Sequence, residues 1–148
     1  MDWLSLGYFG LFIVSFLSAT VIPFSSDAIV GIMVGLNYDV LLVLLIASFG
    51  NTLGGMMNYY IGRLGKTEWI HKYLKISEKK IHKATSFVTK YSGLVALFTW
   101  LPGIGDALAL TLGLFKVNAV RVWMFMLIGK TTRYALIIVL VKTGLSIF

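Results

Sequence analysis

Long apolar runs, separated by short polar or glycine-rich breaks, dominate the hydropathy pattern of this chain. The runs lie at 3–22, 28–36, 40–62, 91–101, 107–115 and 119–141. A helix needs roughly 20 apolar residues to cross a bilayer, so 40–62 and 119–141 predict two crossing helices. The runs at 28–36 and 107–115 are too short to cross, because a helix rises only about 1.5 Å per residue. We predict that these short arms turn back.

The second part of the sequence repeats the first at an offset of 79 residues. The offset superimposes Pro23-x-x-x-Asp27 on Pro102-x-x-x-Asp106, and these are the only two prolines of the chain. Proline and aspartate are scarce in this composition, so a chance match is disfavoured. Repeats of this length indicate a duplicated structural unit.

Each half of the repeat predicts a helical hairpin broken near its proline, followed by one crossing helix. We place repeat half one at 3–65, half two at 82–144 and a basic connector at 63–90, all within one membrane domain, 1–148. An odd number of crossings inverts the second half, and broken helices at matching places in inverted halves point to a transport site near the midplane. The predicted fold is therefore an all-α polytopic membrane protein with an inverted repeat of re-entrant hairpins. The alternative in which 3–22 spans fully stays open.

Composition and charge agree with a membrane protein. The chain is 58% apolar and 13% charged, with a mean hydropathy of +0.88, whereas soluble domains carry roughly 25% charged residues. The net charge of +7 would elsewhere suggest nucleic acid, but eight of the 13 basic residues lie between 63 and 90. Basic residues near helix ends face the cytoplasm. We therefore expect a multi-pass membrane protein with this loop in the cytoplasm and no nucleic-acid partner.

Asp27 and Asp106 are candidate site residues because they interrupt apolar stretches. An ionisable group in the hydrocarbon costs about 2.5 to 3.5 kcal/mol even on insertion scales, and such groups mark substrate or proton pathways. The simpler alternative is that each carboxylate caps the helix that starts at Ala28 or Ala107. We expect capping together with a functional role.

Two cations at the depth of the second crossing run complete the predicted pathway. Lys130 lies at the midpoint of this run, Arg133 follows three residues later, and both share a helix face with Tyr134. Asn51 is the equivalent midpoint of the first crossing run. We expect the two hairpin aspartates to be the partners of these cations, either in a buried network that fixes the fold or in exchange with an anionic headgroup.

The hairpin breaks need protein or water around them. Pro23 and Pro102 each remove a backbone donor, and Ser26 can satisfy backbone groups that lipid cannot. Gly103 and Gly105 flank the second break, where they would let a ligand approach the backbone.

The segment 77–91 predicts an amphipathic helix with Ser77 as its N-cap. Its apolar residues at helical spacing are Ile81, Ala84, Val88 and Tyr91, and the candidate anionic-lipid surface consists of Lys79, Lys80 and Lys83. Each basic side chain near an anionic surface adds about 1 kcal/mol of binding. The positive-inside rule alone is the alternative explanation. The chain has no cysteine, and its histidines, His71 and His82, have no acidic partners at ligand spacing, so we expect neither metal nor cofactor.

Several of these residues stand in motifs of a known family. The motifs are Pro23-x-x-Ser26-Asp27, Gly50-Asn51-x-Leu53-Gly54-Gly55, Gly62-Arg63, Trp100-x-Pro102-x-x-Gly105-Asp106 and Gly129-Lys130-x-x-Arg133-Tyr134. Their order and spacing resemble the small YqaA branch of the DedA (VTT domain, SNARE-associated) membrane protein superfamily. The resemblance covers nearly the whole chain. It implies an inner-membrane protein with two opposed re-entrant hairpins.

The same resemblance implies a link to lipid movement. Better-known members are connected with moving polyprenyl phosphate carriers and phospholipids between leaflets, and proton coupling is often proposed. Longer relatives commonly carry Arg residues around the second hairpin proline, where this chain has Thr99 and Gly105. We therefore expect a transporter or scramblase of an anionic, phosphate-bearing lipid, with membrane lipids as its partners. The small number of helices favours a homodimer.

Two other classes of function remain as alternatives. Gly103-Ile104-Gly105-Asp106 also spells the G-x-G-D motif of intramembrane aspartyl proteases, with Asp27 as a second carboxylate. The short chain and the repeat, which explains Asp106 without proteolysis, argue against an enzyme. A non-transporting scaffold or assembly protein is the other alternative, since fold does not fix function.

Overall fold

The computed structural model describes residues 3–19, 26–65, 77–101 and 104–147, and every regular element in these ranges is a helix. The helices are α1 (Trp3–Ser18), α2 (Ser26–Gly35), α3 (Val40–Leu64), α4 (Glu78–Lys90), α5 (Ser92–Leu97), α6 (Gly105–Leu114) and α7 (Ala119–Ile147), with a 3₁₀ turn at Phe98–Trp100. Pro23, Pro102 and Gly103 lie outside the described residues.

Two helices have the length and composition to cross a membrane, as predicted. They are α3, with 25 residues, and α7, whose apolar part is Ala119–Gly144. Twenty-five residues rise about 37 Å, which exceeds the roughly 30 Å of a hydrocarbon core. By contrast α2 and α6 have 10 residues each, too few to cross.

The local backbone structure repeats with the offset found in the sequence. Helices α2 and α6 begin and end 79 residues apart. Each is followed by a residue in the left-handed region, Asn37 at φ 65° and Lys116 at φ 54°, a common helix stop. The next helix then starts with a capping side chain, since Asp39 and Asn118 each accept a hydrogen bond from the N–H three residues later, at 3.0 and 3.2 Å. The duplicated sequence therefore folds into duplicated local structure.

The first of two compact units combines Met1–Gly54 with Leu127–Phe148. Its buried core consists of Leu11, Val30, Met33, Val34, Val43, Ala47, Tyr134 and Ile138. Gly54 lets α3 approach α1 closely, because a Cβ there would lie 2.3 Å from the carbonyl oxygen of Phe16. This unit contains the candidate site.

The second unit is Gly55–Met126. Its buried core consists of Met56, Tyr59, Val88, Ala96, Ala109, Leu112, Val117, Val122 and Met126. The Tyr59 hydroxyl donates to the carbonyl oxygen of Val117 and accepts a hydrogen bond from Arg63 Nη1 at 2.7 Å. Tyr59 thus joins α3 to the turn that follows α6.

Helix α4 forms where the sequence predicts it, and the described residues of the predicted apolar face differ in exposure. Val88 is buried in the core of the second unit, whereas Tyr91 is 39% exposed. Phe87, which the sequence analysis did not place on an apolar face, is 59% exposed. The side chains of Ile81 and Ala84, the other two residues of the predicted face, lie outside the described residues.

Candidate functional site

Two consecutive residues at the start of α2 contact two consecutive residues of α7. Arg133 Nη2 lies 2.5 Å from both carboxylate oxygens of Asp27. Beside this ion pair, the hydroxyl groups of Ser26 and Tyr134 share a buried hydrogen bond of 2.6 Å. These two adjacent contacts, which we call the clamp, hold the first turn of α2 against α7 inside the first unit.

Both side chains of the ion pair are partly exposed at the protein surface. The side chain of Arg133 is 17% exposed and that of Asp27 is 37% exposed. Both carboxylate oxygens contact one guanidinium nitrogen, so this pair does not use the two-nitrogen fork that guanidinium offers to carboxylates and phosphates. The contact is therefore short and charged but not the strongest arrangement that arginine can make.

Lys130 lies one helical turn before Arg133 and is almost fully enclosed, with 3% of its surface exposed. Its ammonium donates to the backbone carbonyl of Asn51 at 3.1 Å and also to the Asn51 side-chain oxygen. The sequence repeat superimposes these two residues, so the structure pairs the midpoints of the two crossing-length helices. A buried ammonium needs such acceptors because desolvation penalises its charge.

Serine residues of α1 extend this contact into a network. Asn51 Nδ2 donates to Ser18 Oγ at 2.8 Å and to the carbonyl oxygen of Ser15 at 3.0 Å. The Ser18 hydroxyl in turn lies 3.1 Å from that of Ser26. A continuous chain of hydrogen bonds therefore links Lys130 through α1 to the clamp on α2.

The sequence analysis missed both Ser15 and Ser18. They are three residues apart on one face of an otherwise apolar helix, and Ser15 is fully buried. The signal that could have identified them is the spacing of two small polar residues within an apolar run.

The second repeat does not carry the same polar network. The positions that correspond to Ser15, Ser18 and Ser26 are Leu94, Leu97 and Gly105. A Cβ on Gly105 would lie 2.0 Å from the carbonyl oxygen of Thr99, so protein backbone fills the space that the sequence analysis assigned to a ligand. The repeat is thus retained in the backbone and altered in the side chains.

Asp106 is partly buried in the first turn of α6. The prediction that it caps a helix starting at Ala107 is wrong, because α6 begins at Gly105 and its N-cap is Ile104. The Gly105 N–H donates to the carbonyl oxygen of Leu101 at 2.9 Å, so backbone begins the helix earlier. Helix α2 likewise begins at Ser26, two residues before the predicted start at Ala28. Both carboxylates lie in first turns, where the helix dipole favours negative charge.

The basic segment contributes exposed cations in the second unit. Lys79 and Lys83 are exposed on α4, as is His82, and Lys80 belongs to the same helix. Within the described ranges no group of three His, Cys, Asp or Glu residues is arranged to hold a metal ion. The candidate site therefore consists of the polar cluster in the first unit.

Comparison with known proteins adds a family context. The profile of the VTT domain matches residues 22–143. The chain is 34% identical over 132 residues to "Inner membrane protein YqaA" of Escherichia coli (strain K12), covering 88% of this chain and 87% of the relative. It is 33% identical over 138 residues to an uncharacterized protein of Haemophilus influenzae, covering 88% and 84%. "Uncharacterized membrane protein YkoX" of Bacillus subtilis is 32% identical over 86% of this chain and 60% of its own length. No solved structure matches the chain.

Proposed function

The chain belongs to the VTT domain family of membrane proteins, and we propose that it moves an anionic, phosphate-bearing lipid between the leaflets of the inner membrane. The lipid is a phospholipid or a polyprenyl phosphate, and the protein acts as a transporter or scramblase rather than an enzyme. The observation that carries the proposal is the partly exposed ion pair of Arg133 and Asp27, near the middle of a helix long enough to span. Ionisable groups at that depth are costly and usually serve a transport path.

Arg133 is the residue proposed to attract the headgroup. The oxygens of a phosphate accept charged hydrogen bonds from guanidinium, as the Asp27 carboxylate does from Nη2. A phosphate group can therefore compete with the carboxylate for the same guanidinium. Protonation of Asp27 would remove its charge and favour phosphate in this competition, and that linkage supplies a route to proton coupling.

Lys130 supplies a second positive charge, and its ammonium stays enclosed in the protein. Its ammonium is held by Asn51 and is enclosed, so we propose that it lowers the cost of bringing a phosphate to Arg133 without contacting lipid in the resting state. Asp106, in the first turn of α6, is proposed as the alternate carboxylate on the second hairpin. Tyr134 and Ser26 position the ion pair.

The proposed topology places the two hairpins as re-entrant elements that enter from opposite leaflets. The duplicated local structure of α2 and α6 supports it, because short helices at matching places in inverted halves are typical of transport proteins. The basic connector at 63–90 faces the cytoplasm. Each hairpin would then open toward one of the two leaflets.

Lipid exchange in proteoliposomes tests this function. Purified protein is reconstituted with a fluorescent phosphate-bearing lipid, and the fraction reached by a membrane-impermeant quencher is followed in time for wild type, Arg133→Gln and Arg121→Gln. Arg121 is the matched control, because it is an exposed arginine of the same helix outside the polar cluster. We expect exchange in wild type and Arg121→Gln and at least a tenfold slower rate in Arg133→Gln. Undiminished exchange in folded Arg133→Gln protein overturns the mechanism, and no exchange of any tested lipid overturns the function.

A further inference from the structure

A row of exposed side chains follows α4, α5 and the 3₁₀ turn. We call it the entry face, and it consists of Lys83, Phe87, Lys90, Tyr91, Leu94 and Phe98. Its apolar members Phe87, Tyr91, Leu94 and Phe98 are 59%, 39%, 55% and 46% exposed. Tyr91 stands between α4 and α5 at φ −107° and ψ 25°, and the N–H groups of Tyr91 and Val95 each donate to the carbonyl four residues earlier at 3.0 Å. Within each helix, residues three or four positions apart share one side.

The opposite side of the same segment is packed into the second unit. Val88, Ser92, Ala96 and Thr99 are all less than 9% exposed. Their spacing of three or four residues places them together on the buried side. Packing of these residues therefore fixes which side of the segment faces the second unit. The entry face is the side that the unit leaves exposed.

The chemistry of the entry face changes in a definite order along the chain. Lys83 and Lys90 alternate with the aromatic residues Phe87 and Tyr91, whose ring centroids are 5.0 Å apart. Lys90 Nζ lies 5.4 Å from the centroid of the Tyr91 ring, a cation–π distance. Only apolar side chains follow on this face, as far as Phe98.

This order matches the cross-section of one leaflet of a bilayer. Phosphates of anionic lipids attract lysines, aromatic side chains favour the level of the headgroups, and hydrocarbon accepts leucine and phenylalanine. A water-soluble partner protein would not need an apolar face that continues this far past the last lysine. The charge of the region points to the same partner, since eight basic and only two acidic residues lie between 63 and 90.

We propose that the entry face docks into a leaflet rich in anionic phospholipid, with Lys83 and Lys90 holding lipid phosphates while Leu94 and Phe98 lie among the acyl chains. This surface differs from the Arg133 site and lies in the other unit. It would select anionic lipids even if the protein moved none of them.

Depth measurements on labelled full-length protein test the geometry. The chain has no cysteine, so each of the single substitutions Leu94→Cys, Phe98→Cys, His82→Cys and Thr89→Cys carries one spin label and no native cysteine has to be removed first. His82 and Thr89 are exposed control positions of α4 outside the entry face. In bilayers of phosphatidylcholine with phosphatidylglycerol, we expect labels at 94 and 98 to be reached by oxygen and shielded from a water-soluble nickel reagent, and labels at 82 and 89 to show the reverse. Nickel access at all four positions overturns the proposal, as does shielding of 94 and 98 from both reagents, which indicates a covering protein or second copy.

Lipid preference tests the role of the lysines separately. A fluorophore on Ser86→Cys, which lies between Lys83 and Lys90, is quenched by brominated phosphatidylglycerol or brominated phosphatidylcholine, and the ratio reports selectivity at this surface. Removing one lysine should weaken that selectivity about fivefold, so Lys83→Gln with Lys90→Gln should lose at least tenfold. The control Lys116→Gln with Lys142→Gln removes the same charge at two other exposed lysines and should keep the preference. Equal selectivity in both double variants overturns the assignment. Lost lipid exchange with retained selectivity contradicts only the proposed function.

Discussion

Arg133 in α7 holds Asp27 in α2 through a single guanidinium nitrogen that lies 2.5 Å from both carboxylate oxygens. The two residues are 106 positions apart, so only the folded first unit brings them together. Their neighbours Tyr134 and Ser26 are hydrogen-bonded beside them. The site is therefore a junction between a short helix and a long one, and substitutions there should affect stability and lipid binding in separable ways.

Removing both partners of the ion pair should cost less than the two single removals added together. Arg133→Gln leaves the Asp27 carboxylate without its cation, and we expect a loss of about 1 to 3 kcal/mol in the free energy of unfolding. The double variant Asp27→Asn with Arg133→Gln should lose less than the sum of the single variants. Unfolding by sodium dodecyl sulfate in mixed micelles measures this coupling. Strict additivity would mean that the pair contributes nothing to the fold.

Disrupting the contact between Lys130 and Asn51 should lower the free energy of unfolding more than disrupting the ion pair does. Asn51→Leu removes a side-chain acceptor from a nearly enclosed ammonium, and we expect a loss of about 3 kcal/mol. Lys130→Met in the Asn51→Leu background should recover part of it, because no charge is then left in apolar surroundings. The same mixed-micelle unfolding measures both variants. A Lys130→Met change that adds further destabilisation to Asn51→Leu would refute this explanation.

Loss of the hydrogen bond between Tyr134 and Ser26 should destabilise the protein modestly, and by a similar amount whichever partner is removed. Tyr134→Phe keeps the buried ring and removes one hydroxyl, so we expect about 1 kcal/mol of destabilisation. Ser26→Ala should cost a similar amount, and the two changes together should cost little more than either one. Thr132→Ala, whose hydroxyl bonds only to backbone within its own helix at 2.8 Å, is the comparison. If the losses of the two single variants simply add in the double variant, the two hydroxyl groups do not stabilise each other.

Helix packing in the first unit should tolerate no side chain at Gly54. Gly54→Ala places a Cβ 2.3 Å from the Phe16 carbonyl oxygen and 2.9 Å from Ala19 Cβ, and we expect a loss of about 1 to 3 kcal/mol. Gly10 has no atom within 4 Å of an added Cβ, so Gly10→Ala should be neutral or stabilising because alanine favours helix. Thermal unfolding in detergent compares the two. Equal melting temperatures would contradict the close approach of α1 and α3.

Much of the backbone plan could be predicted because lipid limits the choices. Only long apolar runs can span a bilayer, so α3 and α7 follow from length alone. The offset between the repeats placed α2 and α6 at matching positions, and both helices formed there. Charges at similar depth must be compensated, and Asp27 does lie against Arg133.

Other features depend on side-chain packing that hydropathy does not record. Serine in an apolar run has the same hydropathy whether it faces lipid or an asparagine, so Ser15 and Ser18 were missed. Sequence spacing alone did not distinguish Val88, which is buried, from Tyr91, which is 39% exposed. The starts of α2 and α6 were placed two residues late, since backbone acceptors such as Leu101 begin the turn before the aspartates.

The central claim is that Asp27 and a lipid phosphate compete for Arg133. The most direct test is the equilibrium binding of phosphatidylglycerol, relative to phosphatidylcholine, to wild type, Asp27→Asn and Arg133→Gln, with native mass spectrometry of protein released from nanodiscs. Substitutions at Lys83 and Lys90 are included in all three proteins, so that the entry face does not contribute. The account predicts tighter phosphatidylglycerol binding in Asp27→Asn, because the competing carboxylate charge is gone, and weaker binding in Arg133→Gln. Equal binding by all three proteins would contradict it.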